Sequence, residues 1–164
     1  MNNKVTWKPG TMLAPVPAVM VSCQNGNKTN IITIGWAGTI CSEPPMVSIS
    51  VRPSRFSYNL IKESGEFVIN IPTKKLAKET DLCGVISGNK YDKFHETGLT
   101  QGKSNSVKVP IISECPINIE CKVKQEIPLG SHNMFLAEIT SVQVTKDYID
   151  NEGKFVIDKA NLLG

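Results

Sequence analysis

A chain of 164 residues has room for one hydrophobic core, so a single domain over 1–164 is expected. Its composition, 40% hydrophobic and 20% charged, excludes a wholly disordered chain. The net charge of +3 is spread along the sequence, which speaks against a nucleic-acid footprint. The N-terminus lacks the apolar core and cleavage site of a secretory signal, and the longest apolar stretch, Ala14 to Cys23, is too short to span a bilayer. A cytoplasmic protein with no membrane association is therefore expected. Five widely spaced cysteines without a Cys-x-x-Cys pair, and only two histidines, predict reduced core thiols and no metal site.

In chain order, Ala18 to Cys23 reads as a strand that ends at the hairpin signal Asn25-Gly26, and Asn30 to Gly35 as the returning strand. Met46 to Val51 alternates apolar and polar residues, the period of a half-buried strand, behind the rigid Pro44-Pro45. The period then changes. Ser54 to Ser64 places Phe56, Leu60 and Ile61 on one helical face, with Ser54 as candidate N-cap and Gly65 as stop. Glu66 to Ile71 is a further strand. Lys75 to Leu82 reads as a short helix, and Ser87-Gly88 and Asp92-Lys93-Phe94 as loops. Strands return at Val107–Pro110, Ile117–Glu126 and Phe135–Thr145. Many short strands without strand–helix alternation predict an antiparallel barrel or sandwich, and no Gly-x-Gly-x-x-Gly follows any strand.

The arginines carry the sharpest signal. Of eighteen basic residues only two are arginine, and Arg52 and Arg55 flank Pro53-Ser54 at the predicted strand-to-helix junction. A guanidinium fork suits phosphate in a way an ammonium does not, and a helix N-terminus adds unpaired N–H groups. The junction from Arg52 through Ser57 to Tyr58 is thus a candidate phosphate cradle; the competing reading pairs both arginines with Glu63 or Glu66. Gly35-Trp36-Ala37-Gly38-Thr39 sets an aromatic between small residues, which suits close approach to a flat ligand or, alternatively, a bulge with Trp36 in the core. Ser87-Gly88 with Lys93 reads as a cation-bearing loop or as plain solvated loop. His132 sits at a turn, either as a turn residue or as a group able to donate a proton.

The ordered set Pro15-x-Pro17, Asn30, Ile34 through Thr39, Ser42-x-Pro44-Pro45, Ser50-Val51-Arg52-Pro53-Ser54-Arg55-x-Ser57, Gly65-Glu66-Phe67-x-x-Asn70, Ser87-Gly88, Asp92-Lys93-Phe94 and Glu120-Cys121 resembles the flavin reductase-like group, flavoredoxins in particular. The resemblance implies a mainly β fold with added helices, a six-stranded antiparallel Greek-key split barrel, and a homodimer with FMN near the interface. It implies that Trp36, Ala37, Gly38 and Thr39 line the flavin ring and that Ser50, Val51 and Arg52 meet the ring edge and ribityl chain. Arg55, Ser57, Ser87 and Lys93 would hold the phosphate, with Asn30 and Tyr58 beside them, and His132 would border the flavin face where nicotinamide stacks. Relatives in that group usually run on past the position of Leu163, so the resemblance implies either a naturally short protein or a further C-terminal piece.

Three functions remain open at this level. The first is an FMN-containing oxidoreductase drawing hydride from NAD(P)H and reducing a small-molecule or protein acceptor. The second is a flavoredoxin-like electron carrier with protein partners. The third is a non-enzymatic flavin- or haem-binding module.

Overall fold

The computed structural model describes residues 3–163. Residues 3–18 run as an irregular arm. Strands β1 (Val19–Asn25) and β2 (Lys28–Ile34) form the expected hairpin, with Gly26 at φ 56 in its two-residue turn, a conformation that costs glycine little. A second hairpin joins β3 (Ala37–Ser42) to β4 (Pro45–Val51). Then follow α1 (Phe56–Ser64), β5 (Glu66–Ile71), a 3-10 turn at Lys74–Leu76, α2 (Ala77–Val85), α3 (Lys93–Thr97), β6 (Gln101–Gly102), β7 (Ile111–Ile112), and the long strands β8 (Ile117–Pro128) and β9 (Asn133–Val144). A 3-10 turn at Lys146–Tyr148 and α4 (Ile157–Ala160) complete the described chain.

Seven strands form one antiparallel sheet in the order β2-β1-β5-β8-β9-β4-β3, with β6 and β7 as a separate pair. The sheet is open between β2 and β3, yet it curls: Ile32 and Ile34 near one edge join the same buried cluster as Val47, Ile49 and Val51 near the other. This is the mainly β split-barrel architecture expected, with β3 supplying one strand more than six. Val19, Val21 and Cys23 point into that core, together with Leu60 and Ile61 of α1. Met20 and Ile31, on the opposite face, pack with Cys83 of α2, Phe94 of α3 and Ile112 of β7. The two-residue strand period thus separates an inner core from an outer, helix-covered one. Four buried thiols behave as core groups: burial pushes their pKa up to about 12 at Cys23, Cys115 and Cys121 and to about 11 at Cys83.

Several local expectations are corrected. Ser54 does not cap α1: the N-cap position is Arg55, and no side chain caps the helix. Gly65 does end it, in the left-handed region at φ 69 with its N–H on the Ile61 carbonyl. Lys93 and Phe94 lie in the first turn of α3 rather than in a loop, because the Asp92 carboxylate accepts the N–H groups of Phe94 and His95. Val107–Pro110 is not a strand; its loop is held by Glu120, and pairing begins only at Ile111. Among the described residues no helix is long and apolar enough to cross a membrane.

Candidate flavin site

Three cavities form one continuous trench along the sheet end where β4 hands over to α1. The innermost, about 60 Å³, is lined by Asn30, Arg55, Ser57, Ser87, Gly88 and Lys93, among others. The middle one, about 220 Å³, shares Arg55 and Ile32 with it and adds Trp36, Ser50, Val51, Arg52 and His132. The outer cleft, about 540 Å³, shares Gly35, Trp36 and Ser50 with the middle one and runs under the arm at Leu13 and Pro15–Pro17. A Cβ on Gly35 would sit 3.2 Å from the Val16 side chain, so the small residue lets the arm lie close to the trench floor.

The inner cavity gathers Lys93, Arg55, Ser57, Ser87 and Asn30. Lys93 is 4% exposed, and its ammonium donates to the Cys83 carbonyl at 2.6 Å. Among the described residues it has no carboxylate partner. Burial lowers its pKa, the nearby Cys83 and Cys23 sulfurs raise it, and the neighbouring Arg55 charge lowers it further. The guanidinium groups of Arg52 and Arg55 likewise have no ion pair or hydrogen bond among the described residues. The alternative pairing with Glu63 and Glu66 does not form: Glu63 accepts from Asn25, and Glu66 accepts the Lys108 N–H at 2.8 Å. Ser57 is buried; its hydroxyl oxygen accepts from Asn30 Nδ2 at 2.8 Å, and its side chain also hydrogen-bonds Cys23. Asn30 Oδ1 is buried without a hydrogen-bond partner among the described residues. Gly88 closes the cavity: an added Cβ would collide with the Asn30 amide and with Phe56 Cδ1 at 2.6 Å.

In the middle cavity the Trp36 indole, 45% exposed, and the His132 imidazole face each other with centroids 4.5 Å apart and planes tilted by 45°. Trp36 is therefore not the core residue of the alternative reading. Burial lowers the His132 pKa, and the Arg52 charge adds to that. Ser50 N–H donates to the Trp36 carbonyl at 3.0 Å, fixing β4 to the glycine-flanked turn.

Two candidates lie apart from the trench. Tyr58 is 7% exposed, and its ring packs in the core against Phe135 while its hydroxyl turns to Glu126. It faces away from the cradle because helical spacing carries residue 58 about 100° round from Ser57. Thr39 lies beyond the cavities on the exposed edge strand β3, whereas Ala37 and Gly38 line the outer cleft. The arm wall at Leu13 and Pro15–Pro17 was not assigned from sequence, although Pro15-x-Pro17 marked it.

The sequence matches the flavin reductase like domain over residues 11–157. This chain belongs to the flavin reductase-like family. A protein of Archaeoglobus fulgidus is 39% identical over 115 residues, which span 70% of this chain and 65% of that relative's length. The flavoredoxin of Desulfovibrio vulgaris (Miyazaki F) superposes with a TM-score of 0.89 at 32% identity, covering 96% of this chain and 85% of that one. A ferric-chelate reductase (NAD(P)H) of Archaeoglobus fulgidus is 25% identical over 130 residues, 79% of this chain and 75% of the relative. A flavin is the cofactor such a family carries, and the trench fits its mononucleotide. Two cations, Arg55 and Lys93, unpaired by any described carboxylate at the inner end, suit a phosphate dianion. The orphaned Asn30 Oδ1 suits a hydroxyl donor from a ribityl chain.

Proposed function

We propose that this protein is an FMN-containing oxidoreductase that takes hydride from NAD(P)H. The observation that carries the reading is the buried Lys93 ammonium, unpaired by any described carboxylate, sharing the inner cavity with Arg55, Ser57 and Ser87. Uncompensated burial of a lysine is costly, and a dianionic ligand removes that cost.

In this reading Arg55, Lys93, Ser57 and Ser87 hold the phosphate, and Asn30 accepts from the ribityl chain. Ser50, Val51 and Arg52 would border the ring edge, and the segment Trp36–Gly38 would line the ring, largely through backbone groups. Bound FMN supplies the hydride and electron chemistry. The Arg52 guanidinium and backbone N–H groups stabilise negative charge at the ring edge. His132 and Trp36 bound the face that nicotinamide would approach. The similarity to a ferric-chelate reductase (NAD(P)H) supports the nicotinamide donor.

Assembly as a homodimer belongs to the same proposal. Its support is the exposed edge strand β3, with Ile40 at 46% exposure, beside an arm whose Trp7, Met12 and Leu13 are exposed. The similarity to flavoredoxin favours a second reading, an electron carrier serving protein partners. Anaerobic mixing of the FMN-loaded protein with NADH or NADPH separates the two. Rapid bleaching of the yellow flavin band is the result for the oxidoreductase, and bleaching only with a reduced protein donor is the result for the carrier. A purified protein that stays colourless after incubation with FMN contradicts both.

A further inference from the structure

Tyr58, displaced from the cradle, sits in a polar cluster that the flavin reading does not use. Its hydroxyl donates to Glu126 Oε1 and accepts from Asn133 Nδ2 at 3.0 Å. Asn133 Nδ2 also donates to Glu126 Oε1. Lys62 closes the group, 3.2 Å from Glu126 Oε2 and 3.3 Å from the Tyr58 hydroxyl. Hydrogen bonds from Tyr58 and Asn133 and the Lys62 charge together hold the Glu126 carboxylate below its ordinary range.

The neighbours of these residues give the cluster its meaning. Tyr58 follows Ser57, whose hydroxyl faces the inner cavity, and Asn133 follows His132, whose ring faces Trp36. Glu126 lies on β8 two residues before the strand ends, and Asn133 opens β9 opposite Pro128 and Val51. Between them the turn of Leu129, Gly130 and Ser131 is exposed. A backbone bond from Leu129 N–H to the His132 carbonyl, at 2.9 Å, closes the turn on itself but does not tie it to α1. Among the described residues, the side-chain links from the base of that turn to α1 are those of Glu126 and Asn133 to Tyr58, in the first turn of the helix, and of Glu126 to Lys62, while the backbone of Asn133 pairs with Val51 of β4.

We propose that Tyr58, Glu126 and Asn133 are positioning residues: they brace the His132 turn against α1 and so fix the imidazole over Trp36 at a set distance from the phosphate cradle. The functional part of the proposal rests on the flavin reading, in which His132 borders the ring face. With the brace, a ligand anchored at Arg55 and Lys93 meets His132 in one orientation. Without it, the turn keeps its local closure but loses its register against the helix.

The test has an arm that needs no flavin. The chain has two tryptophans, so a Trp7→Phe background leaves Trp36 as the sole indole. An imidazolium in contact with an indole quenches its fluorescence, so acidification through the His132 titration should dim Trp36, and His132→Ala should abolish that change. In the ligand-free protein, Tyr58→Phe, which keeps the core ring, and Asn133→Ser should each lose most of the quenching. Glu126→Gln, which keeps an acceptor oxygen, should retain it. In the FMN-loaded protein, Tyr58→Phe should leave FMN affinity unchanged while raising KM for the nicotinamide donor and slowing flavin reduction. Quenching undiminished in both Tyr58→Phe and Asn133→Ser would overturn the brace. A parental protein that takes up no FMN would instead remove the flavin reading, and the ligand-free titration would still decide the brace.

Discussion

The ammonium of Lys93 lies 2.6 Å from the carbonyl oxygen of Cys83, the lone hydrogen bond that this buried cation makes among the described residues. One neutral acceptor does not replace the hydration of an ammonium, and the neighbouring Arg55 charge makes the position worse for it. The ligand-free protein therefore carries a destabilised group at its inner cavity, as sites kept for binding do.

Replacing that group should separate stability from binding. Lys93→Met keeps the volume and removes the buried charge, so the ligand-free protein should melt no lower than the parent. Its FMN affinity should fall by about 1.5–3 kcal/mol, the range for a hydrogen bond to a charged partner. Thermal melts with and without FMN check both halves: the variant should lose most of the ligand-induced rise in Tm.

Arg55→Ala should weaken FMN by a similar amount, roughly 1.5–3 kcal/mol, or about tenfold to a hundredfold in Kd. Arg55→Lys should restore only part of this, because the ammonium lacks the planar fork. Titration of each variant by quenching of flavin fluorescence measures the loss.

Gly88→Ala tests the closure of the cavity. The added methyl meets the Asn30 amide and Phe56 Cδ1, so either Asn30 moves or the Ser87–Gly88 backbone retreats. FMN binding should weaken while the β-sheet keeps its circular dichroism.

The acid limb of stability should depend on Glu120. Burial raises the pKa of this fully buried carboxylate, but hydrogen bonds from Asn105, Gln143 and Ser106 more than reverse that, and the net shift is downward. A depressed carboxylate contributes stability that is present above its unfolded pKa, near 4.5, and is lost as pH falls through the lower folded value. Tm should therefore drop below about pH 4.5, the ordinary carboxylate range. Glu120→Gln should be less stable at neutral pH and lose part of that acid dependence; an unchanged acid limb would refute the assignment.

Much of the fold was legible because its strands follow a two-residue period and its turns carry glycine or proline at the required positions. Cys23, Gly26, Val47, Ile49 and Gly65 all sit where that chemistry places them. Strand β3 was not legible: it lies at the sheet edge with Gly38, Thr39 and Ile40 exposed, so no apolar alternation marks it. Ser54 failed as a cap because the backbone bond from Arg55 N–H to the Arg52 carbonyl delays the helix by a residue. In the site, the arginine pair stood out from residue type and position, whereas Lys93 in the cavity came only through the family resemblance, because its burial depends on the packing of α2 against α3. The direction of Tyr58 was not readable, since only the packing of α1 on Phe135 decides which neighbour its hydroxyl meets.

The central claim is that a phosphate docks where β4 passes into α1. Titrating the wild-type protein in parallel with FMN and with riboflavin, which lacks the phosphate, tests it most directly. FMN should bind at least about tenfold more tightly, a difference of about 1.4 kcal/mol or more. Equal affinity for the two flavins would contradict the account.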